Sequence, residues 1–495
     1  MGLLDLLIIT PGGREKIYQG LGQTLTAIEP PLWSRIIAGY LLDRNHTLEI
    51  VDTEAMEWGN DRSAEYVAEK KPCLVAMVVF GHQPSASTQM MVSAGEICAA
   101  IKHRSPDQDI IIVGGHVSAL PELTLGEEAV DYVCVGEGPV TLDLLLKYKK
   151  GQIDSLDDVK GLMWKEGGLL KSNERAPIIK DLDADLHGNV WHLLPMEKYR
   201  AHNWQCFGEM DSRQPYASIY TTLGCPYKCV FCCINAPFDS NRYRCRSPES
   251  VVAEIDYLYS AYGVKTYKII DEMFVLKDRH YLAICELLAA KPYAAELNIW
   301  AYARVDTVKE DTLSLMRKAG IRWLALGIES GSELVRDGAE KSFSLSEIKD
   351  IVAAIQKADI NVIGNYIFGL PDDTYESMRE TLDLAKDLNC EFANFYSAMA
   401  YPGSPLYGIA NINNWALPEK WSGYSQHSVD CQPLPTDTLT SADVLAFRDQ
   451  AFHEYFDNQS YLNMIETRFD IETRQHVESM STTRLSRNIL KEQQV

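Results

Sequence analysis

The chain has 495 residues, 46% apolar and 23% charged, with a formal net charge of −22. That length and balance describe a soluble chain of two or three domains, and no apolar run approaches the ~20 residues that span a bilayer. The acidic charge repels a phosphate backbone and disfavours a nucleic-acid partner.

Residues 4–10 form a short apolar run that ends in Thr10-Pro11-Gly12-Gly13. This start carries an acid and no basic flank, so it reads as a buried first strand and not as a leader. Helical spacing covers 33–42, and residues 47–52 alternate as a second strand. A third strand covers 73–80, and a helix covers 90–103. Strand 109–113 runs into Gly114-Gly115-His116, and strand 132–135 runs into Gly136-Glu137-Gly138 before helix 140–149. Strands and helices alternating at these lengths predict a doubly wound parallel sheet over residues 1–150. Such sheets bind ligands at the carboxyl ends of their strands. Thr10, Pro11, Gly114, Gly115, His116, Ser118, Gly136 and Glu137 lie there, where glycine lets backbone approach a large flat ligand.

Three strings in this half are distinctive: Glu-Pro-Pro-Leu at 29–32, Gly-Gly-His-Val-Ser-Ala-Leu-Pro-Glu at 114–122 and Val-Gly-Glu-Gly at 135–138. They resemble the cobalamin-binding domain that precedes many radical SAM enzymes. The resemblance implies that the strand-end residues named above contact cobalamin. The D-x-H-x-x-G signature that supplies a histidine to cobalt is absent from 1–150; Asp185-Leu-His187 lies beyond the sheet and lacks the glycine. Cobalamin would then bind with its own base displaced and with no histidine from that signature on the metal. His82 and His116 are better read as loop hydrogen-bonders than as cobalt ligands. A degenerate module without a ligand is the alternative reading, because the fold is widely reused.

Residues 151–215 are expected to be a linker. It holds a hairpin at 161–171 turning at Gly167-Gly168 and an irregular connector at 175–199. The Asp181, Asp183 and Asp185 run lacks the glycine and terminal glutamate of a calcium loop and reads as solvated.

Residues 224–233 read Gly-Cys-Pro-Tyr-Lys-Cys-Val-Phe-Cys-Cys, which sets Cys225, Cys229 and Cys232 at the spacing C-x3-C-x2-C. Thiolates bind iron and zinc, but a structural zinc or electron-transfer cluster closes its shell with four protein ligands. Three leave one metal position open for a reacting ligand. A zinc knuckle or three unconnected buried thiols are the alternatives. The remaining nine of the twelve cysteines are scattered, as small buried hydrophobes would be. With aromatic Phe231 before its last cysteine, the loop resembles the cluster loop of radical SAM enzymes. The resemblance implies a [4Fe–4S] cluster on the three cysteines and S-adenosyl-L-methionine on the fourth iron.

Strand–helix units follow over 216–405, with strands at 217–221, 266–270, 297–301, 323–327, 361–369 and 392–398. They predict a partial or full (β/α) barrel with function at the carboxyl ends of its strands. Polar residues fall at those ends: Asp271 and Glu272, Arg304, Glu329 and Ser330, and Gly369. Two acids suit an α-ammonium, a guanidinium fork suits a carboxylate, and a glycine lets backbone pass adenine. Each feature alone is also an ordinary cap or ion pair; their order after the cysteine loop resembles the radical SAM barrel. Asp271-Glu272 stands where many relatives carry Gly-Gly-Glu.

Residues 406–495 are expected to form a mostly helical cap over the open face of the barrel, with Tyr424, Gln426 and His427 as the weakest substrate-contact candidates. The fold expectation is therefore α/β: a doubly wound parallel sheet, a radical SAM barrel and a helical cap. The resemblance implies a cytoplasmic radical SAM C-methyltransferase that uses methylcobalamin to methylate an unactivated carbon of a small-molecule substrate, with an electron donor such as flavodoxin or ferredoxin. A rearrangement or cyclisation within the same family, or a non-catalytic corrinoid or iron–sulfur carrier, are the other readings.

Overall fold

The computed structural model describes residues 4–22, 25–341 and 343–492. Apolar runs build its first sheet: β1 (Leu6–Thr10), β2 (Leu48–Asp52), β3 (Leu74–Val79), β4 (Ile110–Gly114) and β5 (Tyr132–Cys134). These five run parallel in the order β2-β1-β3-β4-β5. Every residue of β1, β3 and β4 is buried, as expected of strands covered by helices on both faces. The linker hairpin, β6 (Leu162–Glu166) and β7 (Leu169–Ser172), does not stand apart. It adds two antiparallel strands to β5, so this sheet extends past the expected boundary at 150.

The second sheet is parallel and six-stranded: β8 (Tyr216–Ile219), β11 (Thr266–Ile269), β12 (Asn298–Ala303), β13 (Ile321–Glu329), β14 (Asn361–Phe368) and β15 (Phe392–Ser397). Its order, β15-β14-β13-β12-β11-β8, leaves β8 and β15 as edges, so the barrel is partial. A short antiparallel ladder, β9 (Thr222–Leu223) with β10 (Arg244–Cys245), brackets the cysteine loop on both sides.

Aromatic packing closes the amino-terminal end of the barrel. Trp204, from the connector before β8, packs against Trp300, Trp323 and Phe392, and Phe469 stacks on Trp323. The helix Ser441–Phe456 lies along edge strand β15, where Arg448 Nε donates to the Phe395 carbonyl at 2.8 Å. The C-terminal helices therefore cover an edge and the lower end of the barrel. Residues 406–434 reach the open end as well: Leu406 N donates to the Val230 carbonyl of the cysteine loop at 2.9 Å, Leu406, Ala410 and Leu434 pack with Val230 and Phe231, and Gln426 lines the cavity there. Among the described residues no helix is long and apolar enough to cross a membrane.

One buried charge cluster joins the two sheets. Glu254 accepts from Arg246 Nη1 at 2.5 Å, Arg35 Nη1 at 3.3 Å and Trp191 Nε1 at 3.0 Å. Arg35 comes from the first unit and also donates to the Ser218 carbonyl of β8 at 2.9 Å.

Candidate active site

The cysteine loop is anchored at its root. Asp271, at the end of β11, accepts from Thr221 N at 2.6 Å, from Thr222 N at 3.1 Å and from the Thr221 hydroxyl. It is 1% exposed, so it pins the loop and does not face a ligand. Gly224 follows at φ +83°, where a β-carbon would lie 2.2 Å from the Arg242 carbonyl; only glycine fits. The Cys225 carbonyl accepts from Asn235 Nδ2 at 3.2 Å, and Cys232 N donates to the Cys229 carbonyl at 3.0 Å.

Cys225, Cys229 and Cys232 line one cavity of about 300 Å3, together with Phe231, Glu272, Arg304, Glu329 and Lys341. Among the described residues no three His, Cys, Asp or Glu side chains are gathered to hold a metal ion. All three thiols border this one cavity, and a cubane takes one thiolate per iron, so such a set of soft donors suits it. Burial pushes all three thiols up, Cys225 to about 11, so binding iron would displace their protons.

The neighbouring polar groups suit the two ends of an amino acid. Glu272 borders the cavity, and its Oε2 is buried without a hydrogen-bond partner. Burial pushes its carboxyl up to about 8. An unmatched acceptor beside the cysteines is what an α-ammonium would satisfy. Arg304 is held by Asp306 through Nε at 2.9 Å and Nη2 at 3.0 Å, with its guanidinium 3.9 Å over the Tyr227 ring. Its Nη1 points to Cys229 Sγ at 3.8 Å. Glu329 sits at φ +66° in a bulge of β13 and pairs with Lys341 Nζ, which also donates to the Gly327 carbonyl at 3.2 Å.

Two expected contacts are placed elsewhere. Ser330 is fully buried and bonds Thr381 Oγ1 at 3.0 Å, shaping the turn behind Glu329. Gly369, at φ +81°, makes room for Val444, which would lie 2.5 Å from a β-carbon there. Val444 belongs to the C-terminal helix Ser441–Phe456. Sequence reasoning missed Lys341, Asn365, Tyr302, Tyr396 and Tyr401, which also line this cavity. Tyr302, Asn365 and Tyr396 carried a periodicity signal, as positions on strands that alternate inward.

A second cavity of about 310 Å3 adjoins the first, with His82, Gln83, Gln89, Tyr302 and Tyr396 in both walls. It runs from Thr10, Pro11, Gly12 and Gly13 at the end of β1 to Trp300 and Asn394 inside the barrel. Arg14 lines it with Nη1 buried and unpartnered, while its Nε is paired with Glu54 at 2.8 Å. Glu29 lies deep in this cavity, taking the Tyr216 hydroxyl at 2.8 Å and Lys268 Nζ at 3.1 Å. Burial opposes its charge, but Lys268 and the nearby histidines hold its carboxyl at about 2. A glycine-bearing strand end, an orphaned guanidinium donor and two glutamines suit a flat macrocycle fringed with amides.

The other strand-end candidates do not border these two cavities. Gly115 lines a small cleft of about 50 Å3 beside Trp33 and Phe80. Gly114 packs against the Val79 carbonyl. His116 is 2% exposed, bonds Thr88 Oγ1 at 3.1 Å and meets the Trp421 ring edge-on at 4.4 Å. Ser118 Oγ accepts from Gly136 N at 3.1 Å. Glu137 pairs with Arg244 of β10 at 2.6 Å, tying the first unit to the ladder beside the cysteine loop. Of the C-terminal candidates, Gln426 lines the first cavity and His427 the second, while Tyr424 packs against Tyr401.

Comparison with known proteins follows the same division. Residues 18–146 match the B12 binding domain profile, and residues 219–385 match the Radical SAM superfamily profile. The chain is 28% identical over 427 residues to an uncharacterized methyltransferase of Pyrococcus horikoshii, covering 86% of this chain and 87% of that one. It is 26% identical over 397 residues to the anaerobic magnesium-protoporphyrin IX monomethyl ester cyclase of Cereibacter sphaeroides, covering 79% of this chain and 62% of the cyclase. The fold is similar to that of the radical S-adenosylmethionine methyltransferase TsrM of Kitasatospora setae, solved with cobalamin and a [4Fe-4S] cluster bound. That likeness has a TM-score of 0.69 at 16% identity and covers 97% of this chain and 100% of the other. The chain thus carries a B12 binding domain at 18–146 followed by a radical SAM domain at 219–385, with three thiols of the second facing a cavity.

Proposed function

We propose that the chain is a cobalamin-dependent radical SAM methyltransferase acting on a carbon of a small molecule. The observation that carries this reading is the shared wall between the cysteine cavity and the strand-end cavity, where His82, Gln83, Gln89, Tyr302 and Tyr396 border both. Cys225, Cys229 and Cys232 would hold the [4Fe–4S] cluster, with Glu272, Arg304 and Glu329–Lys341 orienting S-adenosylmethionine. Thr10, Pro11 and Arg14 would hold cobalamin. When bound, these groups supply an electron, a hydrogen-abstracting species and a methyl carrier. The residues position and shield. Glu272 offers a charge partner to the ammonium, Arg304 is fixed in advance by Asp306, and the tyrosines narrow the passage and limit water.

Names of relatives in both classes bear on the reaction: a methyltransferase matches over most of its length, and a cyclase over less of its own. The second reading is therefore a ring-forming reaction on the same scaffold, told apart by whether product gains a methyl group. The test of the proposal is anaerobic reconstitution with iron, sulfide and hydroxocobalamin, followed by absorbance spectra of wild type and Cys225→Ala/Cys229→Ala/Cys232→Ala. The expected result is loss of the cluster with retention of a base-off corrinoid. A wild type that takes up the cluster but retains no corrinoid sinks the methyl-carrier mechanism.

A further inference from the structure

Two phenols stand in the wall where the two cavities meet. Tyr302 of β12 and Tyr396 of β15 border both the cysteine cavity and the strand-end cavity, and His82, Gln83 and Gln89 complete that wall. Elsewhere in the barrel a buried tyrosine ties its hydroxyl to an acceptor. Tyr216 donates to Glu29 at 2.8 Å, Tyr267 to the Val264 carbonyl at 2.9 Å and Tyr455 to the Cys390 carbonyl at 2.6 Å. Such pairing is the rule, because a buried hydroxyl without a partner is costly. Among the described residues no hydrogen bond holds the hydroxyl of Tyr302 or Tyr396, and neither is sealed in the core as those of Tyr281 and Tyr366 are. Both side chains are half-buried although they sit inside the sheet, so what they expose faces the cavities. The two phenols are near enough for the charge of one to oppose ionisation of the other, and burial pushes both up, so each keeps its hydrogen.

We propose that Tyr302 and Tyr396 are hydrogen-atom donors that quench a 5′-deoxyadenosyl radical straying from the cysteine cavity toward the corrinoid. The proposal rests on the radical SAM reading of the cysteine loop. A radical formed beside Cys225, Cys229 and Cys232 crosses into the strand-end cavity past the shared wall. Of the side chains in that wall, the tyrosines offer the hydrogen that leaves most readily. A phenol O–H breaks more easily than an amide or imidazole N–H, and more easily than the unactivated C–H this radical is able to break. In the step the phenol O–H bond breaks, a C–H bond forms at the 5′ carbon, and the unpaired electron stays on the phenoxyl. No separate proton or electron leaves. One electron from the reductant that serves the cluster and one proton from water then restore the phenol. A substrate held at the 5′ carbon reacts first by proximity, so the phenols act when the site is empty.

The test uses the full chain reconstituted with iron, sulfide and hydroxocobalamin, given S-adenosylmethionine and dithionite without substrate, in heavy water free of thiols. Phenol hydrogens exchange with solvent and carbon-bound hydrogens do not. A radical quenched by a phenol therefore yields 5′-deoxyadenosine carrying one deuterium, read by mass spectrometry. The expected result is deuterium in most of the wild-type 5′-deoxyadenosine, with the labelled fraction falling at least fivefold in Tyr302→Phe/Tyr396→Phe. Freeze-quenched wild type is expected to show a tyrosyl EPR signal that narrows when tyrosine is ring-deuterated and is absent from the double variant. Wild-type 5′-deoxyadenosine without deuterium, or an equal labelled fraction in the double variant, overturns the proposal. Should the double variant lose its cluster, Tyr302→Phe and Tyr396→Phe singly are each expected to lower the labelled fraction, and no change in either also overturns it. Absence of 5′-deoxyadenosine from an intact wild-type cluster sinks the functional reading and this proposal with it, whereas unlabelled 5′-deoxyadenosine sinks the proposal alone.

Discussion

Glu272→Gln separates the cost of an unmatched carboxylate from its use. In the ligand-free chain, burial raises this carboxyl from 4.5 to about 8, and its Oε2 has no partner. Between those pH values the unfolded chain is ionised while the folded chain holds the proton. Stability therefore falls as pH rises through that window, and the full penalty is present above pH 8. At 1.36 kcal/mol per unit the penalty grows from ~2 kcal/mol at pH 6 toward ~5 kcal/mol above pH 8. Water reaching the cavity screens part of this, so a change of at least ~1 kcal/mol between pH 6 and 8.5 is expected. Glutamine cannot ionise, so the variant gains on wild type as pH rises. S-Adenosylmethionine reverses the order, because its ammonium meets the carboxylate and stabilises wild type alone. The assay is the urea midpoint of both proteins at pH 6, 7 and 8.5, with and without S-adenosylmethionine. A pH-independent difference between the proteins, or equal protection of both by S-adenosylmethionine, would refute the reasoning.

Other substitutions test the supports of the site. Glu254→Gln leaves Arg35 and Arg246 buried without their shared carboxylate, and it is expected to cost ~3–5 kcal/mol, read as a lower urea midpoint. Asp271→Asn weakens three hydrogen bonds at the loop root; iron content after gel filtration should fall severalfold with little change in far-UV circular dichroism. Gly369→Ala forces a β-carbon onto Val444 at positive φ, at ~1–3 kcal/mol, and should speed proteolysis of the C-terminal helices.

Much of the architecture was legible because period and punctuation agree. Uninterrupted apolar runs at β1, β3 and β4, each ending in a polar or glycine turn, announce a sheet covered on both faces. The C-x3-C-x2-C spacing is local, so one loop carries its own signal. Two kinds of feature were not legible. The first is partnership: Asp271 and Glu272 are adjacent and both acidic, yet one pins Thr221 while the other faces the cavity, as alternation at a strand end dictates. The second is long-range packing. Nothing near Gly369 foretells Val444, and nothing near Glu137 foretells Arg244. Lys341 lies twelve residues beyond Glu329 in a polar stretch without period, so only the folded chain brings the pair together. The hairpin at 162–172 is legible as a hairpin from its Gly167-Gly168 turn, but its edge-on pairing to β5 depends on a free strand edge that spacing does not reveal.

The central claim is that one chain holds both a cluster-bound and a corrinoid-bound site opening on each other. The most direct measurement is anaerobic incubation of the reconstituted chain with S-adenosylmethionine carrying a deuterated methyl group, with and without a strong reductant, followed by mass spectrometry of the corrinoid and nucleoside products. The expected result, with the reductant present, is labelled methylcobalamin with S-adenosylhomocysteine, because the hydroxocobalamin must first be reduced to cob(I)alamin, together with 5′-deoxyadenosine that disappears in Cys225→Ala/Cys229→Ala/Cys232→Ala. Formation of 5′-deoxyadenosine with the retained corrinoid left unlabelled would contradict it.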